Sequence, residues 1–263
     1  MKEQSKDQEP EFPYFAFQAS WGITKHMGGR DATQELIKAC RITKDSYVLD
    51  VGSGAGITAC ILAKEYGCDV AGVDLSEDMI QRARERAARK NFSGKIQFTA
   101  GDARNLPFKK GTFDAVICES VTAFPKEKQM VVNEYARAAK PGGYVGMNEV
   151  TWIEPPPPQL DEYLHRALGR AEFLRPEGWV RLLDKAGLKD VHARIYRTNM
   201  LRQWASEIRQ MNLRDYLGAW RKFFALFFKS PEAMKWIKHI AVPPKSIINL
   251  FQYFGFGIYT GRK

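Results

Sequence analysis

The sequence predicts an α/β fold in which helices pack on both faces of a mainly parallel sheet. Two observations support this prediction. Apolar, strand-like runs alternate with helical patterns through residues 47–152, and a glycine-rich turn follows the first of these runs. Such alternation is typical of βαβ units, whose right-handed crossovers place the carboxyl ends of parallel strands at one edge of the sheet. The 263 residues suffice for one large domain, or for one domain with an insertion.

Seven strands are predicted from short apolar or alternating runs. They are YVLDV (47–51), DVAGVDL (69–75), KIQFTAGD (95–102), FDAVICES (113–120), YVGMNEVTW (144–152), DVHARIYRT (190–198) and GFGIYTGRK (255–263). The carboxyl ends of the first five should bring the glycine turn and several acids to one edge of the sheet. These acids are Asp74, Asp102, Glu119 and Glu149.

The helices are predicted from amphipathic patterns that are bounded by residues favouring helix ends. Residues 76–90 begin at Ser76, a good N-cap, and carry acids in the first turn and bases in the last. Residues 125–143 have a proline at their start and glycines at their end. Further helices are predicted at 31–40, at 57–66, after the proline run 155–158, and at 176–188.

The charge is unevenly distributed along the chain. The net charge is +10, and residues 189–263 carry all of it, since the first 188 residues are neutral overall. This basic quarter is expected to meet something anionic. The first ten residues have no apolar side chain after Met1 and are expected to be a frayed tail, neither a signal nor a transit peptide. Four scattered cysteines and no long apolar run predict a reduced, cytoplasmic protein without structural zinc.

The glycine turn YVLDVGSGAGIT, residues 47–58, has glycines at every second position: Gly52, Gly54 and Gly56. This spacing differs from the G-x-G-x-x-G of dinucleotide-binding proteins, and the G-K-[ST] of a P-loop is absent. The turn therefore indicates close approach of a ligand other than a dinucleotide or a nucleoside triphosphate.

Three acids near the strand ends indicate what this ligand is. Asp50 precedes the glycines and can hold an ammonium group, directly or through water. Asp74 closes the second strand and can accept both hydroxyls of a ribose, while Asp102 closes the third and can accept an adenine amino group. One acid each for an ammonium group, a ribose and an adenine describes a nucleoside amino acid without phosphates. This ligand is S-adenosylmethionine.

Four motifs in order resemble those of class I S-adenosylmethionine-dependent methyltransferases. They are VLDVGSGAG (48–56), VAGVDLSEDMI (70–80), GDARNLPFKKGTFDAVIC (101–118) and AAKPGGYV (138–145). The resemblance covers about residues 25–197 and is strongest to the small-molecule branch that includes quinone-biosynthesis methyltransferases. It implies a Rossmann-like three-layer sandwich with a seven-stranded, mostly parallel sheet whose last strand is antiparallel.

The resemblance also implies which residues bind the cofactor. These are Asp50, Gly52, Ser53, Gly54, Gly56, Asp74, Leu75, Met79, Asp102, Ala103 and Glu119. Leu75 and Met79 would flank the adenine, and Asp102 with the Ala103 backbone would bind its edge. Two alternatives stay open: Met79 would belong only to the core, or Asp50 would cap the backbone of the loop without contacting the ligand.

Three residues are candidates for catalysis. Glu119 after the fourth strand and Glu149 after the fifth would orient the acceptor, take its proton, or only satisfy loop amides. The segment HMGGRDAT, residues 26–33, resembles the N-terminal cover of this branch. Its His26 would contact cofactor or acceptor, or would be structural. No metal site is expected, because the cysteines and histidines do not cluster.

Residues 201–252 separate the last two predicted strands and are predicted to be a helical insertion. An aromatic face recurs at helical spacing in Trp220, Phe223, Phe224, Phe227 and Phe228, with basic residues beside it. We expect a lid over the cofactor edge whose aromatic face lines an apolar acceptor pocket. Two other interpretations stay open: contact of this face with a membrane surface, which is compatible with the first, and a lid that only packs on the sheet domain with its charges in water.

The predicted organisation is therefore a tail and cover segment (1–24), a methyltransferase domain (25–200 and 253–263) and a substrate lid (201–252). The leading hypothesis is methyl transfer to a hydrophobic or partly anionic small molecule, such as a quinone, an isoprenoid or a lipid. The alternatives are a small-amine or amino-acid N-methyltransferase, an RNA methyltransferase that uses the basic quarter, and a binding module without activity. Nucleic acid is disfavoured, because the basic residues of this quarter alternate with large apolar ones. The oligomeric state is not indicated.

Overall fold

The computed structural model describes residues 26–168, 171–198 and 242–263. The predicted tail, residues 1–24, lies outside the described residues. So does most of the predicted lid, including all five residues of its aromatic face.

A seven-stranded sheet in the order β3-β2-β1-β4-β5-β7-β6 forms the centre of the fold. Its strands are β1 Tyr47–Val51, β2 Asp69–Asp74, β3 Ile96–Ala100, β4 Phe113–Glu119, β5 Ala139–Trp152, β6 Lys189–Arg197 and β7 Phe254–Arg262. β7 is antiparallel to both of its neighbours, and the other paired strands are parallel. The predicted fold class, with its antiparallel last strand, is confirmed.

Helices cover both faces of the sheet and complete three layers. They are α1 Gly29–Ala39, α2 Ile57–Ile61 with a π-helical continuation Leu62–Tyr66, α3 Glu77–Arg89, α4 Lys128–Ala138, α5 Pro158–Ala167, α6 Pro176–Lys185, a 3-10 turn Lys245–Asn249 and α7 Leu250–Tyr253. Successive residues of β4 point to opposite faces, as strand geometry requires. Val116 packs in the core beneath α4 and α6, whereas Ala115 and Ile117 pack beneath α1, α2 and α3.

The start of α3 forms for the reason that its sequence indicates. Ser76 caps the helix by accepting a hydrogen bond on Oγ from the Met79 N–H over 3.3 Å. Glu77 and Asp78 lie in the first turn, where the helix dipole favours negative charge. Local sequence therefore fixes where the loop after β2 ends.

The fifth strand begins earlier than the sequence predicts. Helix α4 ends at Ala138, and β5 starts at once because Ala139 already pairs with Phe113. The pairing is irregular before it resumes at Tyr144, and Pro141, which has no N–H to donate, lies in this stretch. The prediction of helix through residue 143 was wrong, because the proline and glycines mark an irregular strand start.

The carboxyl ends of β1 to β4 bring the glycine loop, Asp74, Asp102 and Glu119 to one edge of the sheet. The described chain leaves β6 and enters β7 at this same edge, since Arg197 pairs with Gly255. The described residues that flank the predicted lid therefore lie on the side of the glycine loop. Glu149 differs from expectation, because it lies three residues before the end of β5.

Candidate active site

The glycine loop between β1 and α2 holds its three glycines in the left-handed region, with φ of 69° at Gly52, 51° at Gly54 and 73° at Gly56. Glycine adopts this conformation without a steric penalty. Close packing adds a second requirement at two positions. A Cβ at Gly52 would lie 2.2 Å from Val121 Cγ2, and one at Gly56 would lie 2.8 Å from Phe98 Cζ. Sequence reasoning attributed these glycines to a ligand, whereas neighbouring protein atoms already require two of them.

Asp74, the last residue of β2, joins the glycine loop to the start of α3. Its Oδ2 accepts a hydrogen bond from the Gly54 N–H over 2.8 Å, and its Oδ1 accepts one from the Ser76 N–H over 2.9 Å. Each oxygen keeps further lone-pair capacity, so the carboxylate can also accept ribose hydroxyls. Beside it, Leu75 is 76% exposed, whereas Met79 on α3 is only 7% exposed. Leu75 therefore offers an open apolar surface, and Met79 offers very little.

Asp102, after β3, is held by a neighbouring side chain. Arg104 donates from Nη2 to Oδ2 over 2.7 Å and from Nε to Oδ1 over 3.1 Å, which lowers the pKa of the Asp102 carboxyl. Both side chains are partly exposed, so this ion pair contributes only about 0–1 kcal/mol. An adenine amino group can therefore compete for the carboxylate. The adjacent Ala103 is partly buried against the core beneath α4.

Asp50 is a buried carboxyl near the end of β1, with 3% of its surface exposed. Among the described residues its Oδ2 has no hydrogen-bond partner, and neither has the buried Oγ of Ser53. Burial raises the pKa of Asp50 well above its ordinary value, the charges of Glu119 and Asp74 raise it further, and the Ala59 amide opposes them. Leaving such a group unpaired is costly. The arrangement fits a ligand that brings an ammonium group.

Glu119, the last residue of β4, accepts hydrogen bonds from two helices. Thr58 Oγ1 donates to its Oε1 over 2.8 Å, and Thr33 Oγ1 donates to its Oε2 over 2.9 Å. Asn148 Nδ2 also lies 3.4 Å from Oε2. Glu119 is therefore a buried junction that ties α1, α2 and β5 together beside Asp50.

His26 lies on this junction and is also buried. Its Nδ1 is 3.2 Å from Glu119 Oε2, and its Nε2 is 3.4 Å from Thr33 Oγ1. Asn148 Nδ2 holds the same segment by donating to the Met27 carbonyl over 3.0 Å. Sequence reasoning named His26 and Glu119 but missed Thr33, Thr58 and Asn148. Only the position of Thr58, directly after the glycine turn, offered a signal.

Glu149 lies apart from this junction and is fully buried within β5. Its Oε1 accepts hydrogen bonds from the Thr122 N–H over 2.8 Å and the Val121 N–H over 3.2 Å, and the Cys118 thiol donates to it over 3.6 Å. Burial raises its pKa to about 7, and the loop amides oppose this shift. The expectation that Glu149 lies after the fifth strand was wrong. Its oxygen binds the amides of the loop after β4.

Neither a metal-binding cluster nor a membrane-spanning helix is present in the described part of the chain. In residues 26–168, 171–198 and 242–263, no three side chains of His, Cys, Asp or Glu form a group that could hold a metal ion. Over the same residues, none of the helices has the length and apolarity that crossing a membrane requires.

The sequence comparisons agree on one family. A family model described as "Methyltransferase domain" matches residues 48–143. An uncharacterized protein of Haemophilus influenzae is 32% identical over 66% of this chain and 71% of its own length. Norajmaline N-methyltransferase of Rauvolfia serpentina is 33% identical (51% of this chain, 42% of the relative), and a probable chloroplastic tocopherol O-methyltransferase of rice is 31% identical (63% and 48%). The chain therefore spans less than half the length of these two named relatives.

Solved structures share the fold at low identity. The [4+2]-cyclase SpnF has a TM-score of 0.72 and 20% identity, and the match covers 95% of this chain and 92% of that one. A methyltransferase from Geobacter sulfurreducens in complex with S-adenosyl-L-homocysteine has a TM-score of 0.70 and 19% identity, with 95% and 97% covered. At this identity the likeness extends to the fold alone.

Proposed function

We propose that this chain, which belongs to the class I S-adenosylmethionine-dependent methyltransferases, methylates an apolar small molecule such as a quinone, an isoprenoid or a lipid-like acceptor. The family fixes the cofactor as S-adenosylmethionine. The acceptor class is the part that needs its own support, because the named relatives act on different atoms.

The observation that supports an apolar acceptor is an aromatic cluster at the cofactor edge. Trp152 ends β5, Phe254 begins β7, and Phe173 lies between them, each pair meeting edge to face with ring centroids 5.5 to 5.8 Å apart. Buried Leu160 and Leu164 of α5 extend the same cluster. Trp152, Phe254 and both leucines are buried and Phe173 is partly exposed, so this part of the edge is an apolar core, and an acceptor that packs against it would be one that leaves water readily.

The cofactor is proposed to lie along the other part of this edge. Asp50 would accept its ammonium group, which gives the orphan Oδ2 a partner, and Asp74 would accept the ribose hydroxyls. When bound, S-adenosylmethionine supplies a methyl group on a positively charged sulfur for in-line displacement. The protein would then align the nucleophile and exclude water, which accounts for much of the acceleration in such reactions.

Glu119 and His26 are proposed to act as a pair. Two threonine hydroxyls already engage the Glu119 carboxylate, which supports an orienting role rather than direct proton transfer. Its contact with Nδ1 would orient the His26 ring. His26 is then the group that would take a proton from an acceptor that carries one.

The predicted lid is retained in this proposal. Its supporting observation is that the chain leaves β6 and re-enters β7 at the cofactor edge. Phe224→Ala and Phe227→Ala should each lower acceptor turnover more than cofactor affinity. Met130→Ala, at an exposed position on α4, is the matched control.

A small amine is the second candidate acceptor. The Glu119 carboxyl lies beside the proposed cofactor site and would attract a cation, and one relative is named for N-methylation. Methyl-labelled S-adenosylmethionine offered with a prenylated quinol, a long-chain isoprenoid, a small alkylamine and a transfer RNA separates the candidates. The proposal expects label in the quinol or isoprenoid. Label confined to the amine or the RNA would contradict it.

A further inference from the structure

We propose that Glu149 is a positioning residue, which fixes the loop after β4 and, through that loop, supports the glycine loop at the cofactor site. The proposal rests on the cofactor assignment above and is independent of the acceptor class. Of the three roles that the sequence left open for Glu149, it develops the binding of loop amides and sets aside orienting the acceptor and taking its proton.

The contacts of Glu149 point inward to the protein. No part of its surface is exposed, and Oε1 accepts the amide hydrogens of Val121 and Thr122. The second oxygen, Oε2, is buried and has no hydrogen-bond partner among the described residues. A carboxylate in this position cannot reach an acceptor at the edge. It can hold two consecutive amides, and so fix the direction of the loop.

The loop that Glu149 holds begins in an unfavourable conformation. Ser120 has φ of 57°, in the left-handed region that side chains other than glycine adopt at a cost. Such a turn persists where the neighbouring structure over-determines it. The amide bonds from Val121 and Thr122 to Glu149, together with the Ser120 N–H bond to the Asn148 carbonyl at 2.8 Å, supply that constraint.

The loop in turn contacts the glycine loop. The Val121 side chain occupies the space beside Gly52, where a Cβ atom would lie 2.2 Å from Val121 Cγ2. Gly52 is otherwise held by its N–H, which donates to the Val73 carbonyl over 2.8 Å. A chain of direct contacts therefore runs from Glu149 through Val121 to Gly52. Loss of the hydrogen bond between Glu149 and the Val121 amide should therefore weaken the packing of Val121 against Gly52.

The charge state of Glu149 gives this role a pH signature. The titratable groups that interact with it are Cys118 from β4, Tyr135 from α4 and Tyr259 from β7, and burial raises the pKa of each. These groups are therefore neutral near pH 7, so Glu149 is the only one of the four that titrates near that pH. Opening of the loop would return the carboxyl to water and to its ordinary pKa, so ionisation of Glu149 favours opening. Protection of the Val121 and Thr122 amides, measured relative to their intrinsic exchange rates, should therefore decrease as the pH rises through about 7.

Two substitutions distinguish the contribution of the hydrogen-bonding oxygen of Glu149 from that of its negative charge. Glu149→Gln keeps an oxygen for the amides, whereas Glu149→Leu removes it, and Glu85→Leu, at an exposed position on α3, is the control. We measure S-adenosylhomocysteine affinity by calorimetry and hydrogen exchange of the Val121 and Thr122 amides. We expect Glu149→Gln to stay within about threefold of wild type, and Glu149→Leu to lose about tenfold or more in affinity with faster exchange. Exchange in Glu149→Gln should no longer depend on protonation at this site.

The proposal would be overturned if Glu149→Leu bound S-adenosylhomocysteine as tightly as wild type and kept the Val121 and Thr122 amides equally protected from exchange. It would also be overturned if Glu149→Gln and Glu149→Leu lost affinity and protection to the same extent. If Glu149→Leu does not fold, Val121→Ala provides the second test. It should weaken S-adenosylhomocysteine binding, and unchanged affinity would refute the link to Gly52. Failure of the wild-type protein to bind S-adenosylhomocysteine would instead contradict the proposed function, while amide exchange would still test the hold on the loop.

Discussion

Thr58 donates a hydrogen bond from Oγ1 to Glu119 Oε1 over 2.8 Å, which joins the helix after the glycine loop to the end of β4. The two residues are 61 positions apart and both are buried. This bond fixes the start of the helix after the glycine loop relative to the carboxyl end of β4.

Thr58→Val should therefore destabilise the protein. The substitution keeps the shape of the side chain but leaves the buried carboxylate short of a donor, which costs about 1–3 kcal/mol in the free energy of unfolding. Thr33→Val should act in the same direction. Thr43→Val, at an exposed position, should change the free energy by less than about 0.5 kcal/mol. If all three variants were equally stable in urea unfolding, the hydrogen bonds from Thr58 and Thr33 to Glu119 would not stabilise the fold.

Cofactor binding should release protons through Asp50. Its pKa is raised in the free protein by burial and by neighbouring carboxylates, and an ammonium group beside it would favour the ionised form. Below that raised pKa, binding must expel a proton, so affinity should increase as the pH rises towards it. Calorimetry in buffers of different ionisation enthalpy measures the released protons. Asp50→Asn should bind more weakly and without this release, and equal release by both proteins would exclude Asp50 as the source.

Asp102 should distinguish adenine from hypoxanthine despite its bond to Arg104. If its carboxylate accepts the adenine amino group, S-inosylhomocysteine should bind about tenfold or more weakly than S-adenosylhomocysteine. The difference should shrink in Asp102→Asn and persist in Arg104→Ala. A wild-type protein that binds both nucleosides equally would show that the adenine edge is read by other groups.

Glu149 should make the protein less stable as the pH rises. Its pKa is about 7 in the folded protein, above the ordinary 4.5, so folding favours the protonated form. The resulting contribution is present at acid pH and is lost as the pH rises through about 7. Glu149→Gln should lose less stability than wild type between pH 5 and pH 8, by on the order of 3 kcal/mol. If the stability of the two proteins changed with pH in the same way, the pKa of the Glu149 carboxyl would not be raised in the folded protein.

The sequence was a good guide to the parts of the fold that depend on local patterns. Alternation and crossover handedness predicted parallel strands whose carboxyl ends share one edge, and Ser76 predicted the start of α3. The first residue of β5 was not predicted, because a proline followed by two glycines, as at residues 141–143, ends a helix in most contexts. Here they sit where Ala139 already pairs with Phe113.

The interior of the candidate site was the harder part to predict. The sequence placed Asp74 at the edge, because it ends an apolar strand. It gave no sign that Thr33 would meet Glu119 from 86 positions away. The end of β5 at Trp152 was predicted correctly, but Glu149 was still assigned to the edge of the sheet, although three residues of the strand follow it. Its burial was missed because the amides of Val121 and Thr122 that it binds come from a loop 27 to 28 positions away.

Calorimetric titration of S-adenosylhomocysteine into Asp74→Ala tests the central claim most directly, namely that the glycine loop and Asp74 form an S-adenosylmethionine site. Wild type should bind this ligand and not NAD. Asp74→Ala removes two hydrogen bonds to a charged acceptor, each worth about 1.5–3 kcal/mol, and should bind about 100-fold or more weakly. Asp69→Ala, at the exposed start of the same strand, should bind as wild type does. Undiminished affinity in Asp74→Ala, or binding of NAD in place of S-adenosylhomocysteine, would contradict the account.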